Sequence, residues 1–209
     1  DAGLDVASLK GSNTAVFVGA GASEAKALSV QHYDVSNAHS LMGLSASIIA
    51  NRISYVLDAQ GPSVVVDTGC SASLVALDLA LQSLRSGATD LALVGGVNAL
   101  FSPDTHALFA LLGLLSPSGR CRSFDAAGDG MVRSDGGAFL VLKRARDAGG
   151  HRVYSQVLAT KVAQNGHGRG LSAPPTVERQ VALLRDAYAS AGVHPDEVCL
   201  VEANATGSP

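Results

Sequence analysis

The chain has 209 residues, of which 47% are hydrophobic and 16% charged, with 23 glycines and a net charge of −3. That balance suits one large domain, or two halves sharing a core, with a dense interior and many tight turns, and it excludes a disordered segment. With no block of lysine or arginine the chain lacks the footprint that nucleic acid or an anionic membrane requires, and no apolar run approaches the roughly 18 residues of a membrane span.

Taken in order, "DAGLDVASL" reads as the tail of a helix and a turn. Short β-branched or apolar runs then alternate with helical patterns, the sign of an α/β protein whose strands are buried on both faces. Strands are predicted at residues 14–19, 63–68, 91–96, 138–143, 153–163 and 197–203. Helices are predicted at residues 41–57, 70–86, 103–114 and 177–191. In the second of these, Leu74, Leu77, Leu81 and Leu84 form one stripe that Val75 and Leu79 widen, which predicts a buried helix. Gln180, Arg185 and Asp186 give the last one a wet side, so it should lie on the outside.

The turn-rich "DAGGHR" (147–152) marks an internal boundary, with one half over residues 1–149 and the start of a second over 150–209. Residues 116–136 form the longest irregular segment, and loops of that length are usually functional. The chain closes on "VEANATGSP", a strand running into a loop. With no initiator Met, signal peptide or targeting segment, both ends read as cuts through a domain, an internal piece of something longer.

Three cysteines, Cys70, Cys121 and Cys199, do not form a disulfide framework and point to a reducing, cytoplasmic compartment. The six histidines show no metal-ligand spacing, so no metal site is expected. In "VFVGAGASE" the place of the third glycine of a dinucleotide fingerprint holds Glu24, so a tight turn accounts for the glycines. "FDAAGDG" carries two acids at the wrong spacing for a calcium loop.

The informative stretch is "VVVDTGCSASLVALDLALQSLRSG", where a β-branched run ends at a lone thiol opening an apolar helix. Cys70 reads either as a small buried hydrophobe or as a nucleophile. At the first turn of a helix, unpaired N–H groups and the macrodipole favour thiolate, and the same N–H groups can stabilise an oxyanion. Gly69, Ser71, Ala72 and Ser73 are small enough to let a substrate carbonyl approach, and strand, turn, nucleophile and helix make an elbow.

The segment "GPSVVVDTGCSASLVALDLALQSLRSGATDLALVGGVN" resembles the active-site region of ketosynthase domains of modular polyketide synthases and related fatty-acid condensing enzymes, whose pattern is D-T-A-C-S-S-S-L. The resemblance continues in order through "ANRISY", "LLSPSGRCRSFD", "GMVRSDGGAFLVLKR", "GLSAP" and "VEANATGSP", the last against V-E-A-H-G-T-G-T. It implies the thiolase-like α/β fold, a five-layered αβαβα sandwich of two similar halves, here incomplete at both ends and normally a homodimer. It also implies acyl transfer from the phosphopantetheine arm of an acyl carrier protein to Cys70, then decarboxylative Claisen condensation with a malonyl-type extender. No bound cofactor or metal is implied. The backbone N–H of Cys70 then belongs to the oxyanion hole, and Thr206 and Ser208 stand where hydroxyls hold the pantetheine amides, Ser208 replacing a threonine.

The departures bear on function. Asn204 stands at the family's first catalytic histidine, and Ala205 replaces the following glycine. An amide donates a hydrogen bond but carries no imidazolium charge. The family's second histidine and its lysine have no counterpart up to Pro209, and His167 in "NGHGRG" is the one candidate substitute. Gly69 for alanine, Ala72 for serine and Asp135 for glutamate are milder. Three readings follow: an elongating ketosynthase; a non-elongating one that only transfers or holds the acyl chain; and a silent structural or assembly relative, fused to or assembled with other synthase domains. A cysteine hydrolase fits less well, since Thr68 and Ala72 replace the glycines of G-x-C-x-G.

Overall fold

The structure, a computed structural model, describes residues 2–21, 24, 39–167 and 174–208. His32 and most of the "GLSAP" motif lie outside them. The frame is a four-stranded sheet in the order β2-β1-β3-β4, built from β1 (Thr14–Ala20), β2 (Ser63–Val66), β3 (Leu91–Asn98) and β4 (Gly136–Leu142). β1 pairs in parallel with β2 (Val16 opposite Ser63) and with β3 (Thr14 opposite Leu91). β4 closes the row antiparallel to β3, with Ala92 opposite Leu142.

Only β1 is buried throughout, because it alone has a strand on each side and a helix over each face. The edge strand β2 is half-buried, and β4 is largely exposed, against the expectation of burial on both faces. The alternation of a strand splits β1 between two cores. Ala15 and Phe17 meet Ala76, Ala80 and Leu84 of α3 (Ala72–Arg85) on one face. Val16 and Val18 meet Ala50, Ile49 and Ile53 of α2 (Ser47–Leu57) on the other. The predicted helix over residues 41–57 is thus two, since the short α1 (Ser40–Leu44) ends at the extended Ser45.

α3 keeps part of the predicted stripe, with Leu77 packed against the core. Its buried residues are Ala72, Ala76, Ala80, Leu81 and Leu84, whereas Leu74 is 67% exposed. Small side chains line this face because the helix lies close on the sheet. A Cβ on Gly19 would sit 2.4 Å from the Ser73 nitrogen, and one on Gly96 would sit 2.8 Å from the Ser73 Cβ. Gly19 is therefore a strand residue that makes room for a helix, not part of a tight turn.

α4 (Pro103–Leu111) begins at Ser102, whose hydroxyl accepts the Asp104 N–H, with proline at its first turn. α5 (Val177–Ala191) has the predicted bounds, opened by the Thr176 hydroxyl and closed by Gly192 in the left-handed conformation. None of its residues is buried, which matches the expectation of an outer helix. The predicted strands at 153–163 and 197–203 carry no ladder hydrogen bonds among the described residues. The first is tied to α3 instead, through Arg85 Nη2 to the Leu158 carbonyl (3.0 Å) and the Thr160 hydroxyl to Asp78 (2.5 Å). A β-branched run becomes a strand only where a neighbour offers a ladder.

Candidate active site

The three parallel strands end on the same edge of the sheet, where α/β proteins place their ligands. Glu24, Cys70 and Ser102 all follow these carboxyl ends.

After Val66 the chain turns within a few residues. The Gly69 N–H donates to Asp67 Oδ1 at 3.1 Å, an Asx turn, and Gly69 itself lies at φ +64. The Ser71 hydroxyl folds back onto the Thr68 carbonyl (3.0 Å) and lies 2.9 Å from the Thr68 hydroxyl, so it caps no helix N–H. Ser71 is the N-cap and Ala72 the first helical residue. Cys70 therefore precedes the cap rather than opening the helix as expected, because the Asx turn and Gly69 take up the residues between strand and helix. Its thiol is exposed, which removes the reading of a small buried hydrophobe. Around it stand Gly69 and Ser71, both exposed, and no side chain occupies the space a Cβ on Gly69 would enter.

Asn204, Thr206 and Ser208 lie on one irregular stretch at the other end of the chain. The Thr206 and Ser208 hydroxyls are 3.1 Å apart, and Gly207 between them is buried at φ +70. Asn204 is exposed. Among the described residues no hydrogen bond joins Cys70 to Asn204, Thr206 or Ser208, nor to the exposed His167. What holds this stretch is the irregular segment 116–136. Gly130 N–H donates to the Gly207 carbonyl at 3.0 Å, and the Ser123 hydroxyl donates to the Ala205 carbonyl at 2.5 Å. The segment is itself pinned by Asp129, which accepts from Ser116 (2.6 Å), Ser118 (3.0 Å) and Arg122 (3.3 Å). The Ser116 hydroxyl in particular lowers the pKa of that acid.

A second polar centre was not legible in the sequence. Glu24, 8% exposed, accepts the Phe101 and Ser102 N–H groups (2.7 and 2.9 Å) and pairs with Arg133 Nη2 at 3.0 Å. The Ser102 amide first, then the Arg133 guanidinium, hold its carboxyl down at about 2. Arg133 also lies 4.8 Å from the centre of the Phe109 ring, while its buried Nη1 has no hydrogen-bond partner among the described residues. Glu24 thus joins the end of β1, the start of α4 and the segment after Met131. The only sequence hint was Ser102 before Pro103, a helix start whose N–H groups attract an acid.

A family model described as "Beta-ketoacyl synthase, N-terminal domain" matches residues 1–148, and one described as "Beta-ketoacyl synthase, C-terminal domain" matches residues 154–209. The chain belongs to the β-ketoacyl synthase family. This β-ketoacyl synthase chain is 47% identical over 209 residues to one component of the phenolphthiocerol/phthiocerol polyketide synthase of Mycobacterium tuberculosis, covering 99% of itself and 11% of that protein. It is 45% identical to a second component of the same synthase, covering 99% of itself and 14% of the relative. Among solved structures, the oxazolomycin ketosynthase domain of Streptomyces albus superposes with a TM-score of 0.89 at 38% identity, over 100% of this chain and 37% of that one. The ketosynthase from module 6 of the bacillaene synthase of Bacillus subtilis gives 0.88 at 35%, over 100% and 36%. The fold is therefore the thiolase-like α/β fold, and the helix–sheet–helix stack of the described residues is one part of it.

Proposed function

We propose that this β-ketoacyl synthase chain carries the acyl-accepting centre of a polyketide ketosynthase, with Cys70 as nucleophile. The observation that carries the reading is an exposed thiol at the Gly69 elbow, directly ahead of a helix start, in a chain that both ketosynthase family models match. An acyl group arrives as a thioester on the phosphopantetheine arm of an acyl carrier protein. The Cys70 sulfur attacks its carbonyl carbon, a new carbon–sulfur bond forms, and the pantetheine thiol leaves with a proton. The charge that builds on the carbonyl oxygen falls to the Cys70 backbone N–H. Thr206 and Ser208, with hydroxyls 3.1 Å apart, are suited to hold the amides of the arm. A malonyl-type extender then loses carbon dioxide, and its carbanion attacks the Cys70 thioester to form the carbon–carbon bond and expel the Cys70 thiolate. The acyl carrier supplies the only prosthetic group this chemistry needs. Division into two halves near residues 149–150, a homodimeric assembly and linkage to other synthase domains belong to the same reading.

Asn204 favours a second reading, acyl transfer without extension. The amide cannot supply the charge of an imidazolium to a forming enolate, and loss of one such donor costs roughly 10²–10³ in rate. The full-length protein, given an acyl-loaded and then a malonyl-loaded carrier, separates the two. Acyl uptake by Cys70 with carbon dioxide release that rises at least tenfold in Asn204→His supports transfer without extension. Release in the wild type that Asn204→His does not improve assigns the histidine's work to Asn204 and supports elongation. No acyl uptake above a Cys70→Ala control ends both and leaves the silent relative.

A further inference from the structure

Three non-glycine residues among those described have positive φ, and two of them, Phe124 (+61) and Ala205 (+29), flank a single hydrogen bond. That bond runs from the Ser123 hydroxyl to the Ala205 carbonyl at 2.5 Å. The same carbonyl and that of Thr206 lie 3.9 and 3.6 Å from the Cys121 sulfur. Gly128 and Gly130 press on the next turn of the stretch, where a Cβ on Gly207 would come within 2.9 Å of the Gly130 carbonyl. A glycine at 205, which the family pattern carries, enters the left-handed region at little cost, whereas an alanine meets its own carbonyl there. Strain of this kind persists only where surrounding groups enforce it. Where the family pattern has a permissive residue this chain has a strained one, at the position that follows Asn204. Ser123 makes the shorter of the two side-chain hydrogen bonds to it, the weak sulfur contact of Cys121 being the other.

We propose that Ser123 is a positioning residue: by holding the Ala205 carbonyl it fixes the left-handed bend that sets where Asn204 and Thr206 stand. The inference rests on the proposed function for its kinetic consequence, because Asn204 and Thr206 act on substrate only in that reading. Its structural content stands apart from activity. Ser123 is exposed, so water competes for the bond and the effect is modest, about fivefold, the yield of one ordinary hydrogen bond.

The test compares Ser123→Ala, Ser123→Thr, Ala205→Gly and the double variant Ser123→Ala/Ala205→Gly in the full-length protein, with thermal melting as the folding control. Amide hydrogen exchange over residues 201–208 should rise about fivefold in Ser123→Ala and stay at the wild-type rate in Ser123→Thr. In the Ala205→Gly background the serine should matter less, since glycine enters the bend without strain. Turnover of carrier-bound substrate should follow the same pattern, with kcat falling through Asn204 and KM for the carrier rising through Thr206, each by no more than about fivefold. Unchanged exchange in Ser123→Ala, or an equal rise with and without Ala205→Gly, overturns the inference. So does a loss of kcat that merely tracks a lowered melting temperature. If the exchange pattern holds while the wild type takes up no acyl group, the positioning role stands and the proposed function falls.

Discussion

Cys70 owes its setting to its neighbours. Gly69 turns the chain at φ +64, Asp67 secures that turn, and Ser71 starts the helix. The corner was legible in the sequence, because a β-branched run ending at Asp-Thr-Gly before an apolar helix has few other forms. The offset of the helix start was not, since it depends on the Ser71 hydroxyl folding back to Thr68 rather than capping. Substituting Gly69→Ala places a methyl in open space but at a left-handed φ. A loss of about 1 kcal/mol is expected, seen as a melting temperature lower by roughly 2–4 °C, with the thiol still reactive toward iodoacetamide. A variant as stable as wild type would mean the elbow relaxes in solution.

At the scale of elements, the site depends on α3 lying close on β1 and β3. Gly19→Ala drives a Cβ into backbone at the first turn of α3, where no side chain can swing away. A destabilisation of about 1–3 kcal/mol is expected from such overpacking, measured by denaturant unfolding, together with slower thiol alkylation at Cys70. By contrast Thr176→Ala should cost about 1 kcal/mol through the lost cap of α5 and leave thiol reactivity unchanged. Strong periodicity made α5 legible to the residue, and the four sheet strands within two. The buried face of α3 was legible in part, with Leu81 and Leu84 buried and Leu77 packed against the core, but leucine spacing measures hydrophobicity, while close approach to a sheet selects alanine. Residues 153–163 and 197–203 were misread because a composition cannot reveal whether a pairing partner stands alongside.

Across the whole molecule, Glu24 links segments that lie 77 to 109 residues apart in the chain, which is why no local pattern revealed it. Its carboxyl is held at about 2, below its ordinary 4.5, so the folded state binds that proton less tightly than the unfolded chain. The stability it contributes is fully present above about 4.5 and is lost as pH falls toward about 2. Glu24→Gln should therefore lower the melting temperature at neutral pH, and the gap from wild type should narrow steadily as pH drops through that window. A gap independent of pH would place the stabilisation in packing and not in charge. The central claim, that an acyl chain is received at Cys70, is tested most directly by incubating the full-length protein with an acyl-loaded carrier and mapping the adduct by peptide mass. The account predicts one thioester-linked acyl group on Cys70, released by hydroxylamine and absent from Cys70→Ala. An adduct on Cys121 or Cys199 instead, or none at all, would contradict it.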